Sequence, residues 1–329
     1  MPLACPPVPA PATGALTRRR FLGAAGLGVL LTVPACAERP GSAPAPQASR
    51  TFDGAFGPVA VPVAPQRVAS TDFYTAYALL DVGFTVEATV EATVGGVFPE
   101  YQAAYDAIPK IGTTQDIDFE TLVAQEPDLV LGTVVPGLPA DLNDRLSGIA
   151  PTLLFPAAGE PGTWQERAVR AADVVGRRDQ AEALRAAYET RAADIGTRYA
   201  DVLARTRWAL VRGGAQGNAL VDLPNSWSGV VLGAVGAQFG GVAAGKPGAS
   251  TPLSYEQLGL LDDCDVVLHL VDTTGKLDQN TAQVLEQPTF QALPAARNGQ
   301  VHPLPNYYVA HYRQADAVLT EIETVLGKL

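Results

Sequence analysis

The sequence predicts an α/β protein of two Rossmann-like lobes joined by a single long rigid helix, with a ligand cleft between the lobes. Three observations carry that prediction. Short apolar strands alternate with helical segments, as a buried parallel sheet requires. One long helical stretch after Trp164 interrupts the alternation, which then restarts. The segments "DFETLVAQEPDLVLG" (118–132) and "SYEQLGLLDDCDVVLHL" (254–270) share a helix cap, an acid at the third position and an acidic turn into a strand, a faint repeat of one half in the other.

The chain opens with a leader. The apolar run from Phe21 to Ala35 is shorter than the roughly 20 residues a membrane-spanning helix needs. Thr17-Arg18-Arg19-Arg20-Phe21-Leu22 resembles a twin-arginine export signal, and Val33-Pro34-Ala35-Cys36 resembles a lipobox whose cysteine is lipidated and becomes the first mature residue. Two acyl chains on Cys36 would supply stable anchoring outside the cytoplasm. The alternative is an ordinary cleaved signal with an incidental cysteine. Residues 1–35 are thus a signal peptide, and 36–50, "CAERPGSAPAPQASR", a flexible tether rich in Pro, Ala and Ser.

An N-terminal lobe is expected over 51–160. Its strands are "RVAST", "TVEATV", "DLVLG" and "PTLLF", and its helices cover 73–82, 101–107 and 119–125. The interlobe helix, 161–205, carries apolar residues at spacings of three, four and seven, with a break expected at Gly176 and a long segment from Asp179 to Arg205 spanning about 40 Å. The C-terminal lobe, 206–329, has strands "RWALV", "NALVD", "DVVLHLV" and "QVHPL" and helices at 226–235 and 314–326.

The bulk numbers restrict function. Cys5 lies in the leader and Cys36 is the anchor, so Cys264 has no disulfide partner and reads as a small core residue. The formal charge of −11 becomes −14 without the leader, which removes three arginines and no acid; that argues against nucleic acid or anionic lipid as a partner. A mature length of about 290 residues suits two domains.

"TFDGAFGPVAVPVAPQRVAS" (51–70), "IGTTQDIDFETLVAQEPDLVLG" (111–132), "YEQLGLLDDCDVVLHLVD" (255–272) and "QPTFQALPAARNGQVHPLP" (287–305) lie in the order found in substrate-binding proteins of ABC importers for ferric siderophores, cobalamin and haem. The chain resembles that class, and its opening segment points to the iron-siderophore branch. The resemblance implies a monomeric binding protein, no enzyme and no cofactor, that takes a ferric siderophore to a permease dimer. The iron arrives fully ligated, so the protein needs rings and a few cations to recognise the outer shell.

Cleft candidates in the first lobe are Phe73, Tyr74, Tyr77, Phe98 and Tyr101. In the second they are Arg212, Trp227, Tyr307, Tyr308, His311, Tyr312 and Arg313, of which Arg212, Tyr307 and Tyr308 fall where the resemblance implies ligand contacts. The default for any of these rings is core packing, with roughly half expected to touch ligand. Many Tyr and few Arg favour a hydroxamate over an anionic catecholate. Glu120 and its repeat partner Glu256 are the acids that the resemblance implies for docking the permease. Haem or cobalamin on the same scaffold is the first alternative, with His311 a potential haem ligand. An exported hydrolase is the second, although no G-x-S-x-G or S-x-x-K motif occurs. "GGVAAGKP" (240–247) imitates a phosphate loop, but Pro247 stands where the Mg²⁺-binding hydroxyl belongs. His269, His302 and His311 show no metal-ligand spacing.

Overall fold

A computed structural model describes residues 48–92, 96–134, 137–156 and 163–329; Cys36 and the leader lie outside them. The chain enters as an antiparallel hairpin, β1 (Ser49–Gly54) and β2 (Gly57–Pro62). It begins inside the stretch read as tether, and its alternating inward and outward residues are a two-residue period that the prolines obscure. The hairpin docks on the first lobe: the Ala55 amide donates to the Leu154 carbonyl at 2.7 Å, and Arg50 pairs with Asp173 at 3.0 Å.

The first lobe continues through β3 (Val68–Ser70), α1 (Phe73–Asp81), β4 (Ala88–Thr89), α2 (Gln102–Asp106), α3 (Phe119–Ala124), β5 (Leu129–Thr133), α4 (Leu142–Ser147) and β6 (Thr152–Phe155). Its sheet has the order β4-β3-β5-β6, parallel throughout. The predicted break at Gly176, where φ is 71°, separates α5 (Trp164–Val174) from α6 (Arg178–Arg198). The long helix is shorter than expected, because the backbone leaves the helical region at Tyr199 (φ −109°, ψ 21°) before α7 (Ala200–Arg205). The 21 residues of α6 span about 31 Å. Its buried residues, Ala181, Tyr188, Ala192 and Ile195, form one stripe, and its other faces are polar.

The second lobe comprises β7 (Arg207–Gly214), β8 (Asn218–Asp222), α8 (Gly229–Ala234), β9 (Gln238–Phe239), β10 (Ser250–Leu253), a 3₁₀ segment (Tyr255–Leu261), β11 (Val266–Leu270), α9 (Gln279–Leu285), α10 (Pro288–Gln291), α11 (Pro294–Arg297), β12 (Val301–Leu304) and α12 (Tyr312–Leu326). Its sheet runs β10-β8-β7-β11-β12. The strands β7, β11 and β12 are parallel, while β8 and β10 run antiparallel to their neighbours, so the second lobe is not the uniformly parallel copy that the alternation suggested. Both faces are covered: Trp208, Leu210, Val266 and Leu268 pack toward α6, α8 and α12, and Ala209, Val211 and Val267 pack into a separate core with Leu258, Leu261 and Phe290.

The repeat is physical. Asp118 caps α3 by accepting from the Thr121 amide at 3.0 Å, and Ser254 with Gln257 forms a capping box at the start of the 3₁₀ segment. The acid before each following strand ties it to the lobe's first strand: Asp128 accepts from the Arg67 amide at 3.0 Å, and Asp265 from the Arg207 amide at 2.8 Å.

One carboxylate joins the lobes. Asp81, at the end of α1, is almost fully enclosed and accepts from the backbone amides of Tyr312 (3.1 Å) and Arg313 (3.4 Å), the free N–H groups at the start of α12. The Tyr101 hydroxyl donates to its other oxygen at 2.5 Å, and His311 Nδ1 lies 3.2 Å from that oxygen. Burial alone would raise the Asp81 pKa; the contacts with His311, Tyr101 and the Arg313 amide outweigh it and hold the carboxyl below its ordinary range. Asp81→Asn removes the charge and sets an amide NH2 where one carboxylate oxygen accepts, so that donor faces donor, and it should destabilise the protein by about 3 kcal/mol at neutral pH in urea unfolding. Because the folded pKa is depressed, this contribution is present above the unfolded carboxyl value and fades as pH falls through the folded one, so wild type and variant should converge in acid.

Candidate functional site

Tyr74 follows the carboxyl end of β3 and Tyr308 that of β12, and Arg212 lies near the carboxyl end of β7, all parallel strands at the end where open α/β sheets bind ligands; Trp227 follows the antiparallel β8. After β3, Asp72 caps α1 by accepting from the Thr75 amide (2.7 Å) and hydroxyl (2.8 Å), which starts the helix at Phe73 and leaves Tyr74 half-buried. Phe73 packs beneath it at 4.3 Å between ring centroids.

From the second lobe, β7 delivers Arg212. Gly213 follows it because α9 lies directly against the strand: a Cβ there would sit 2.1 Å from the Asn280 carbonyl carbon, and the Gly213 amide instead donates to Thr281 Oγ1 at 2.9 Å. The Arg212 Nε donates to both oxygens of Asp222, at 3.1 and 3.3 Å. Asp222 has no exposed surface; burial pushes its carboxyl up to about 6, with Arg212 and then the nearby Tyr307 hydroxyl pulling the other way. After β12, Asn306 adopts φ 61°, turning the chain so that Tyr307 is buried and Tyr308 is half-buried.

The rings then meet. Tyr308 stands edge-on to Trp227 at 4.9 Å, and the Arg212 guanidinium lies 5.9 Å from the centroids of both. The Trp227 loop is held from two sides, by the Trp164 indole donating to the Trp227 carbonyl (3.3 Å) and by Ser228 donating to the Tyr307 carbonyl (2.6 Å). Tyr74 closes the group from the first lobe. Its phenol is pushed well above the ordinary value, first by burial and then by the neighbouring Tyr308 hydroxyl, while Arg167 and Arg212 oppose the shift.

The structure thus brings Tyr74, Arg212, Trp227 and Tyr308 together, with Phe73 and Tyr307 as buried support. The other candidates go elsewhere. Tyr77, Phe98, Tyr101 and Tyr312 are buried rings of the interlobe seam, and His311 sits at zero exposure with ring centroids of Phe98, Tyr101 and Tyr77 at 5.3, 5.2 and 6.2 Å. Besides Asp81, its Nδ1 also lies 3.3 Å from the Gln314 amide it caps, so His311 serves a helix start in place of the expected loop position. Arg313 is exposed and reaches Asp81 and Glu100 on the seam's outer rim, at 3.5 and 3.7 Å. Glu120 and Glu256 are both exposed in the first turns of their segments. Sequence reading missed Arg167, half-buried on α5 with its guanidinium 5.8 Å from the Tyr74 centroid. It also missed Asp72, Asp81 and Asp222, whose signal was an acid at the edge of an apolar run.

The family model for periplasmic binding proteins matches residues 68–308. Among solved structures, the chain is similar to the siderophore periplasmic binding protein from the fuscachelin gene cluster of Thermobifida fusca. The identity is 33%, over 81% of this chain and 98% of that one, with a TM-score of 0.71. SirA of Staphylococcus aureus, solved with staphyloferrin B, matches at 18% identity over 84% of this chain and 98% of that one, TM-score 0.69. The catecholate-siderophore binding protein VctP from Vibrio cholerae matches at 22% identity over 86% and 100%, TM-score 0.65; these last two likenesses show the fold alone. No curated protein sequence matches the chain.

Asp222 gives the site a pH signature. Between the ordinary carboxyl value and about 6 the folded protein holds a proton that the unfolded chain has released, so this group makes stability rise as pH falls. From pH 7 to pH 5 wild type should gain about 1 kcal/mol relative to Asp222→Asn, read from paired urea titrations at each pH.

Proposed function

The chain belongs to the periplasmic binding protein family, and on that premise we propose that it captures a ferric siderophore outside the cytoplasm and hands it to an ABC permease. The observation that carries the reading is the convergence of Tyr74 from one lobe with Arg212, Trp227 and Tyr308 from the other. Aromatic faces and a guanidinium suit the outer shell of a chelate whose iron is already satisfied. The similar Thermobifida fusca structure, described as a siderophore-binding protein, supports the same ligand class.

Capture works by exchange of solvent for rings. The half-buried faces of Tyr74, Trp227 and Tyr308 lose water to the ligand, and Arg212, already oriented by Asp222, offers its terminal N–H groups without rearrangement. Lobe movement is modest, because Asp81 ties α1 to α12 and a continuous α6 spans the join. Cys36 is the lipid attachment, and Glu120 and Glu256, one on each repeat, are the permease-docking acids. The hydroxamate preference rested on a count of cleft arginines without Arg167, and the charge of the cleft decides the ligand class. Haem loses ground as a second reading, since His311 is enclosed and occupied at Nδ1.

Two outcomes follow. Titrating an iron-loaded siderophore should quench tryptophan fluorescence through Trp227, and Trp227→Phe should remove most of the quench because the other two tryptophans, Trp164 and Trp208, are fully enclosed; an unchanged quench, or none with any ferric chelate, would contradict the proposal. Charge reversal at both Glu120 and Glu256 should leave chelate affinity within about twofold while iron uptake by cells falls at least tenfold, a split that removes docking without touching the cleft.

A further inference from the structure

Six arginines among the described residues are half-buried, and five of them have an acceptor. Arg50 reaches Asp173, Arg67 the Gln125 and Glu126 carbonyls, Arg170 the Asp53 carbonyl, Arg191 the Asp316 carbonyl, and Arg212 Asp222. The sixth is Arg167. Among the described residues no carboxylate, carbonyl or hydroxyl lies within hydrogen-bond or ion-pair distance of its guanidinium, which faces the Tyr74 ring at 5.8 Å. Burial lowers its pKa, and the acid that acts on it most, Asp72, has both oxygens spent on Thr75. A half-buried cation with no acceptor among the described residues keeps its donors available to a ligand.

Its position explains what could satisfy it. Arg167 on α5 stands 5.8 Å from the Tyr74 ring and Arg212 on β7 stands 5.9 Å from the Trp227 and Tyr308 rings, so each lobe's part of the ring cluster carries one guanidinium. Asp72 and Asp222, the carboxylates that act on them, are buried, and each accepts hydrogen bonds through both oxygens. Beside Arg167 a pocket of about 230 Å³, lined also by Phe155, Thr163, Glu166 and Arg170, extends the site along α5. Two planar cationic forks match oxyanions, which they bind with charge-assisted hydrogen bonds.

We propose that the cleft selects a ferric chelate whose outer oxygens carry net negative charge, of the catecholate or carboxylate type, and that Arg167 is the ligand-contacting residue that grips those oxygens opposite Arg212. This rests on the siderophore reading and replaces the hydroxamate expectation, because a tris-hydroxamate iron complex presents no such charge.

The test titrates wild-type protein, Arg167→Gln and Arg167→Lys with two probes, an iron(III) tris-catecholate and an iron(III) tris-hydroxamate, at low and high salt. Wild type should prefer the tris-catecholate. Arg167→Gln should weaken that probe by about tenfold or more, less so at high salt, and change tris-hydroxamate affinity by less than about threefold, with Arg167→Lys in between. The unliganded Gln variant should melt close to wild type, since the guanidinium makes no hydrogen bond or ion pair to a described residue that the substitution would break. Equal loss for both probes, a lowered melting temperature, or a wild-type preference for the tris-hydroxamate overturns the role of Arg167 and the ligand class while leaving siderophore capture standing. Failure of the folded wild-type protein to bind either iron complex or an iron(III) polycarboxylate complex overturns both.

Discussion

The geometry of the cleft depends on the bond between Asp81 and the start of α12. Helix α1 carries Tyr74 into the cleft and, seven residues later on nearly the same face and about 10 Å along the axis, carries Asp81 into the seam. The chain entering α12 carries Tyr307 and Tyr308 four to six residues before the amides that Asp81 accepts from. One carboxylate therefore fixes, through two short rigid segments, how far the first lobe's ring stands from the second lobe's. A surface ion pair could not do this, because competing water would make its geometry soft. Asp81 is enclosed by Tyr101, His311 and the helix end, and an enclosed carboxylate has no alternative partner.

The buried rings of the seam make sense in the same terms. Tyr77, Phe98, Tyr101 and Tyr312 exclude water from around Asp81, and the Trp164–Tyr188–Tyr312 cluster, with centroids 5.2 to 6.1 Å apart, carries the packing on to α6. Aromatic residues thus serve two ends of one segment: those that face the neighbouring lobe's helix are spent on rigidity, and those one or two turns away remain half-buried for a ligand.

That division limits what sequence alone can reveal. The strands were legible because apolar runs such as "DLVLG" and "DVVLHLV" have no other stable use, and the caps at Asp118 and Ser254 because short polar side chains before an apolar period do one thing well. The break at Gly176 was legible for the same reason. The destination of a ring was not, since Tyr74 and Tyr77 are chemically alike and three residues apart, and only the neighbouring lobe decides which one is covered. His311 misled for that reason: a histidine among tyrosines reads as a ligand until the helix it caps is in view. Arg167 was hidden because a polar residue on an amphipathic helix is ordinarily solvated, and nothing local records that this face of α5 borders Tyr74.

The acids carry the last step. The chain is strongly acidic, yet the cleft offers donors, and three buried carboxylates reconcile the two. Asp72 ends "VAST" and starts α1, Asp81 ends "ALL" and starts α12, and Asp222 ends "NALV" and orients Arg212. Each sits where an apolar run finishes and is satisfied by donors, Asp72 and Asp222 from their own lobe and Asp81 in part from the start of α12 across the seam. A negative charge placed behind a donor and enclosed there preorganises it without being exposed to the ligand. Selectivity in this fold then comes from which donors are braced and which, like Arg167, are left for the ligand to satisfy.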